Sequence, residues 1–192
     1  MKEFTKRSLA KTFMEMCEEV PLKDISIKDF IEYAGISKQT FYNYFRDKSD
    51  IMNYVFEIAA EKIIAKMSTS VEGMFYGSEK MAQVCLENRN FYVQLAKYET
   101  QNDFLQCFRK DVEEVYTRKL KENLGTGRLD KKLEKIIHLY CTGACVVFTE
   151  WIKGGMKESP EELADVIISC IPKDIIEGLK EKQPKNNSEK TR

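Results

Sequence analysis

"GISKQTFYNYFRDKSD", residues 35–50, places four aromatic side chains in the five positions from Phe41 to Phe45. Phe41 and Phe45 are four residues apart and share a helical face. That face points to a small core with Ile27, Phe30, Ile31 and the first helix. The opposite face carries Gln39 and Asn43, with Thr40, Tyr42 and Tyr44 on its flanks and Lys38 at the exposed N-terminal end. Working outward, Ser26 can cap a preceding helix, with Asp29 three residues on favouring its dipole. Gly35 ends that helix, where a left-handed residue costs little. Ser37 caps the aromatic helix and Asp47 a fourth one. Two helices of about eight and nine residues, joined by a glycine turn, have the size of a helix-turn-helix.

In a helix-turn-helix the second helix enters the DNA major groove. The outward residues suit that task. Gln39 and Lys38 can bond base edges, and the Thr40 methyl can touch thymine. The hydroxyls of Tyr42 and Tyr44 can donate to phosphates. Lys48, in the first turn of the fourth helix, stands beside free helix amides where a phosphate is favoured. A plainer reading has Tyr42 and Tyr44 covering the small core while the charges solubilise it. Residues 1–50 hold nine basic and nine acidic side chains, yet no acid lies between Glu32 and Asp47, where Lys38 and Arg46 stand.

The whole chain has 192 residues, 31 Lys and Arg against 31 Asp and Glu, and 43% hydrophobic residues, values of an ordinary soluble domain or pair of domains. Four prolines and nine glycines favour long helices over a many-stranded sandwich. The fold class expected is all-α. No apolar run is long enough to span a membrane, and the N-terminus lacks a signal-peptide core. A cytoplasmic location follows, with the six cysteines reduced.

Helical spacing predicts helices over 4–18, from Asp47 to about residue 68, and over 79–87, 90–98, 102–123 and 129–153. "TSVEGMFYGSE", 69–79, reads as a loop. Ser159, Pro160 and Glu162 form a strong helix start, and Pro172 implies a break near Ile171. The domain expectation is a helix-turn-helix unit over 1–46, a larger helical unit over 47–180 and a polar, disordered tail over 181–192.

The stretch "ISIKDFIEYAGISKQTFYNYFRDKSDI", residues 25–51, resembles the DNA-binding segment of TetR-family transcription regulators. The shared pattern falls on Ala34, Gly35, Ile36, Ser37, Phe41, Tyr42, Tyr44, Phe45 and Lys48. The resemblance implies that Lys38, Gln39 and Thr40 face bases, and that Ser26, Tyr42, Asn43, Tyr44 and Lys48 contact phosphates of a palindromic operator. Many members carry a Gly-aromatic pair where this chain has Val20-Pro21-Leu22, so the turn should differ. "WIKGGMKESPEELADVI", 151–167, is similar to the C-terminal domain of a Gram-positive TetR subgroup that includes dihydroxyacetone kinase operon regulators. The family implies a ligand-responsive repressor, a homodimer and a small-molecule effector. That subgroup leaves open a co-regulator or activator acting through a protein partner.

Independently, the 129–153 helix is too apolar for water on much of its circumference. It carries Ile136, Ile137, Tyr140, Val147, Phe148 and Trp151. It and the 160–180 helix, with Val166, Ile167 and Cys170, are the expected homodimer surface. An apolar pocket with a few hydroxyls is expected from Tyr92, Leu95, Phe108, Val112 and Tyr116, with Phe91, Tyr98 and Phe104 as further candidates. His138, Cys141 and Cys145 share a helical face and could hold a metal or sense oxidants, or simply form a strip of small residues at a helix interface. No catalytic residue, metal or cofactor is expected: there is one histidine, and no nucleophile–base or phosphate-loop signature.

Overall fold

A computed structural model describes residues 2–98 and 101–180, with side chains throughout those ranges apart from 101–105. Its described residues are helical, without strands, as expected of an all-α chain. Helix α1 (Lys2–Glu19) leads through a short 3-10 turn (Leu22–Asp24) to α2 (Ile27–Tyr33) and α3 (Lys38–Tyr42). Helix α4 (Lys48–Ile64) leaves this head and enters a bundle of α5 (Val71–Glu87), α6 (Arg89–Lys97), α7 (Gln101–Leu124), α8 (Lys131–Lys153), α9 (Pro160–Ser169) and α10 (Lys173–Leu179). The expected tail, 181–192, lies outside the described residues.

The head is built from local signals. Ser26 Oγ accepts from the Asp29 amide at 3.2 Å, and Asp29 accepts from the Ser26 amide at 3.0 Å. This reciprocal capping satisfies donors that the first turn leaves free. At the other end of α2, Gly35 has φ +63°, which lets its amide reach Glu32 and the Ile36 amide reach the Ile31 carbonyl at 3.1 Å. A side chain at Gly35 would strain that turn. Helices α2 and α3 have seven and five residues, shorter than the spacing suggested, because each lies between a cap and a tight turn.

Four rings fill the head. Phe13 packs edge-on against Phe30 at 5.3 Å and Phe30 edge-on against Phe41 at 6.0 Å, while the Phe41 and Phe45 rings are tilted at 42° with centres 5.9 Å apart. Each is 1% exposed. Phe41 and Phe45 therefore serve the core, with Ile27 and Ile31 partly buried beside them. Phe45 also meets Tyr54 of α4 at 5.6 Å, and the Tyr54 hydroxyl donates to Glu3 at 2.6 Å. Helix α1 thus lies along α4, tying head to bundle.

Two boundaries differ from the sequence reading. Helix α4 stops at Ile64, short of residue 68. Residues 71–79, read as loop, are the first half of α5, capped by Ser70. Gly73 and Gly77 misled that reading. A Cβ on Gly73 would collide with the Ser68 carbonyl oxygen, and one on Gly77 with the Met67 sulfur. These glycines let the α4–α5 connection lie flat on the helix; they do not break it. Ser159, Pro160 and Glu162 start α9 as expected, and the chain breaks between Ser169 and Lys173 around Pro172.

Candidate DNA-binding surface and ligand cavity

Ser37 Oγ accepts from the Thr40 amide at 3.0 Å and sets the start of α3. With Phe41 inward, Lys38, Gln39, Tyr42 and Asn43 are exposed, Tyr42 to 48%. Thr40 and Tyr44 are half-buried, and Tyr44 packs against the core. The Thr40 hydroxyl shares a 2.9 Å hydrogen bond with Ser37. Lys38 Nζ lies 6.0 Å from the centre of the Tyr42 ring. The aromatic run therefore divides between core and a polar, protruding face.

Two residues assigned to phosphates have partners inside the chain. The exposed Ser26 hydroxyl donates to Asp29 at 2.5 Å. Lys48 Nζ is half-buried and donates to the carbonyls of Leu22 and Ile25, both at 2.8 Å, while standing 4.6 Å from the Tyr98 ring centre. An ammonium has three donors, so one remains on Lys48. Its principal structural effect is to fasten the connection between α1 and α2 onto α4.

A second clamp on that connection comes from α6. Gln94 accepts from the Leu22 amide at 2.6 Å and donates to the Cys17 carbonyl at 3.0 Å. Asn90 donates to the same carbonyl at 3.3 Å and to Glu18 at 3.1 Å. These side chains serve backbone groups that the end of α1 leaves without helical partners. The sequence reading passed over Asn90 and Gln94. Their signal was a pair of amide side chains at i, i+4 beside the apolar face of Phe91, Tyr92 and Leu95.

Within the bundle, α4, α5, α7, α8 and Ile167 of α9 line a cavity of about 100 Å³ that opens to solvent. Phe108, Val112 and Tyr116 line it beside Phe56, Met74, Met81 and Phe148. Tyr92 and Leu95 do not. They are 1% and 2% exposed, and Tyr92 packs against Phe91 and Phe56. Helix α6 packs against α1 and the Leu22–Asp24 turn on one side and against α7 and α8 on the other, so its rings fill core and not cavity. Phe91 and Tyr98 are likewise away from the lining, and the Phe104 side chain lies outside the described residues. The Tyr116 hydroxyl donates to Tyr140 at 3.3 Å, and Tyr140 donates to the Ile167 carbonyl at 3.0 Å. Burial raises both phenol pKa values and keeps them protonated.

Asp111 also lines the cavity. Burial lifts its pKa from 3.8 to about 6; Glu57 and Glu114 add to the rise and Lys110 opposes it. The folded state then binds this proton more tightly than the unfolded state. The resulting cost to stability is absent below 3.8, grows through the window to about 6, and is complete above it. Asp111→Asn is expected to stabilise the protein at neutral pH by about 1 kcal/mol, after discounting for partial exposure. The gain should shrink toward acid pH. Denaturant melts across that window check the sign, and a variant less stable than wild type at neutral pH would contradict it.

His138 turns away from the two cysteines with which it shares a face. Its ring nitrogen meets Glu113 at 2.8 Å and Arg109 at 3.2 Å at the surface, while Cys141 and Cys145 are 0% and 2% exposed. Burial pushes both thiols up, Cys145 to about 12, so they stay protonated. Among the described residues no cluster of His, Cys, Asp and Glu could hold a metal ion, and no helix is long and apolar enough to cross a membrane. On the outer side of α8 and α9, Leu139 is 76% exposed, Val146 38%, Val147 40% and Val166 54%.

Residues 72–173 match the family model described as "Transcriptional regulator C-terminal region", of the TetR class. A curated relative, the HTH-type dhaKLM operon transcriptional activator DhaS of Lactococcus lactis, is 29% identical over 92 residues, which span 46% of this chain and 46% of the relative. The alignment thus covers about half the length of that relative. The solved structure of a dihydroxyacetone kinase operon activator DhaS superposes with a TM-score of 0.63 at 22% identity, over 87% of this chain and 93% of that one. A TetR-family regulator from Syntrophomonas wolfei also gives 0.63, at 18% identity over 88% and 93%. These relatives are transcription regulators and not enzymes. With its capped helix-turn-helix head and all-helical body, the chain belongs to the TetR family of transcriptional regulators and resembles the DhaS subgroup.

Proposed function

We propose that the protein is a cytoplasmic, homodimeric DNA-binding regulator that reads a palindromic operator and responds to a small molecule held in the bundle cavity. In this reading residues 1–46 form the head and 47–180 the ligand-binding and dimerisation body. The observation that carries it is the division of residues 38–45: Phe41 and Phe45 are buried, while Lys38, Gln39, Tyr42 and Asn43 protrude. Lys38, Gln39 and Thr40 read base edges. Ser26, Tyr42, Asn43, Tyr44 and the remaining donor of Lys48 hold phosphates. The exposed apolar strip on α8 and α9 pairs with its twofold copy, setting two α3 helices about 34–36 Å apart, one turn of DNA. No cofactor takes part.

Ligand entering beside Phe56 displaces α4, whose first turn is tied through Lys48 to the head. Binding must favour the DNA-incompetent arrangement, or it shifts nothing. The protein then acts as a repressor released by its effector. The similarity to the DhaS activator favours a second reading, in which the dimer activates transcription or works through a protein partner.

Selection of bound duplexes from random DNA, followed by transcription from the selected site, separates these readings. An enriched palindrome that silences the template supports repression, a palindrome that raises transcription supports activation, and no enrichment points to a co-regulator. Affinity should fall with rising salt. Tyr42→Phe is expected to weaken all duplexes alike by about 0.5–1.5 kcal/mol, the net worth of one hydrogen bond. Gln39→Ala should instead relax preference at its base pair. Equal losses on selected and random DNA for Gln39→Ala would remove its base-reading role.

A further inference from the structure

The cavity has a nearly uniform apolar lining and one carboxylate, Asp111. Among the described residues no hydrogen bond or ion pair engages that carboxylate. The neighbouring cation, Lys110, is directed at Glu114, 3.9 Å away on the exposed side of α7. Glu57 of α4 adds negative potential at Asp111. A carboxylate left without a partner beside apolar walls is unfavourable. A bound positive charge relieves that cost, whereas a bound anion meets Asp111 and the added negative potential of Glu57 and Glu114.

We infer that the cavity takes an organic cation, an amine whose apolar body fills the space between Phe56, Phe108 and Phe148 and whose ammonium pairs with Asp111. This rests on the proposed effector role of the cavity and adds its chemical class. Carboxylates and acyl phosphates of similar shape are excluded by the same field. Because Asp111 stands on α7 and the potential of Glu57 comes from α4, an ammonium at Asp111 is attracted by both helices. Its arrival therefore acts on the helix that begins at Lys48.

Titration calorimetry with hexylamine, hexanol and hexanoate, which share one apolar body, tests the assignment. Wild-type protein should bind hexylamine at least about tenfold more tightly than hexanol, a difference of about 1.4 kcal/mol, and hexanoate more weakly still. In Asp111→Asn the amine and alcohol should come within about twofold, with hexanol binding unchanged. Ala144→Phe, which fills the cavity, should weaken all three, and melting curves verify that both variants fold. Alcohol or carboxylate binding as tight as the amine overturns the cation class while leaving the cavity as an effector site, as does an amine preference that survives Asp111→Asn. Amine binding that survives Ala144→Phe lies elsewhere and overturns the proposal. Failure of all three probes to bind wild-type protein overturns both the class and the effector role of the cavity.

Discussion

Phe41→Ala is expected to unfold the head and abolish DNA binding, at a cost of about 3–5 kcal/mol. The Phe41 ring lies within 6.0 Å of Phe30, Phe45 and Tyr42, and is 1% exposed. Removing it leaves a void whose walls are other rings, held by backbone on two short helices that cannot slide inward without breaking their caps. A whole domain commonly has about 5–15 kcal/mol of stability. A head of this size buries less of its surface than a full domain does, so the loss should fall mainly there. The protein contains one tryptophan, Trp151, in α8 of the body. Hydrogen exchange should lose protection over residues 26–45, while the Trp151 fluorescence transition moves much less. Equal shifts in both probes would show that head and body unfold as one unit and defeat the local assignment. Phe41→Leu should recover most of the loss, since it restores much of the buried volume.

The second large effect is expected at the outer surface of α8 and α9. Leu139→Glu combined with Val166→Glu should convert the proposed dimer to monomers. At 76% and 54% exposure these residues contribute little to the fold of one chain, and surface changes of this kind usually stay within about 0.5 kcal/mol. In a twofold interface each appears twice, and a carboxylate buried there without a partner costs about 3–5 kcal/mol. Dimer affinity should therefore fall at least a hundredfold, or about 2.8 kcal/mol, with Tm almost unchanged. Sedimentation at micromolar protein reads the first quantity and a thermal melt the second. Binding to a two-half-site duplex should fall with dimerisation, because each head alone retains half the contacts. A variant that stays dimeric would move the partner surface away from this strip.

Much of the head was legible in the sequence because its instructions are short-range. Ser26 with Asp29, Ser37 with Thr40, and Asp47 with Asp50 all act over three residues. Phe41 and Phe45 declare their face by a spacing of four. The same holds for Ser159, Pro160 and Glu162 at the start of α9. The candidate cavity was half legible. Phe108, Val112 and Tyr116 belong to its wall, but Tyr92 and Leu95 have the same composition and periodicity and belong to the core. Which apolar face meets a void depends on how four helices are offset from one another, and no single helix carries that information.

The sequence by itself determined a helical chain, the capped helix-turn-helix, the outward Lys38, Gln39, Tyr42 and Asn43 and the break at Pro172, since caps, turns and helical periodicity are contacts between near neighbours; that Thr40 and Tyr44 are half-buried was decided by packing. Tertiary structure alone decided that Gly73 and Gly77 lie within a helix, because what requires them is the close approach of Ser68 and Met67. It also decided that Lys48 fastens the carbonyls of Leu22 and Ile25, and that Asp111 faces the cavity. Hydrogen bonds and burial between residues far apart in the chain arise only when the helices pack, and packing decides which polar group finds a partner and which is left to a ligand.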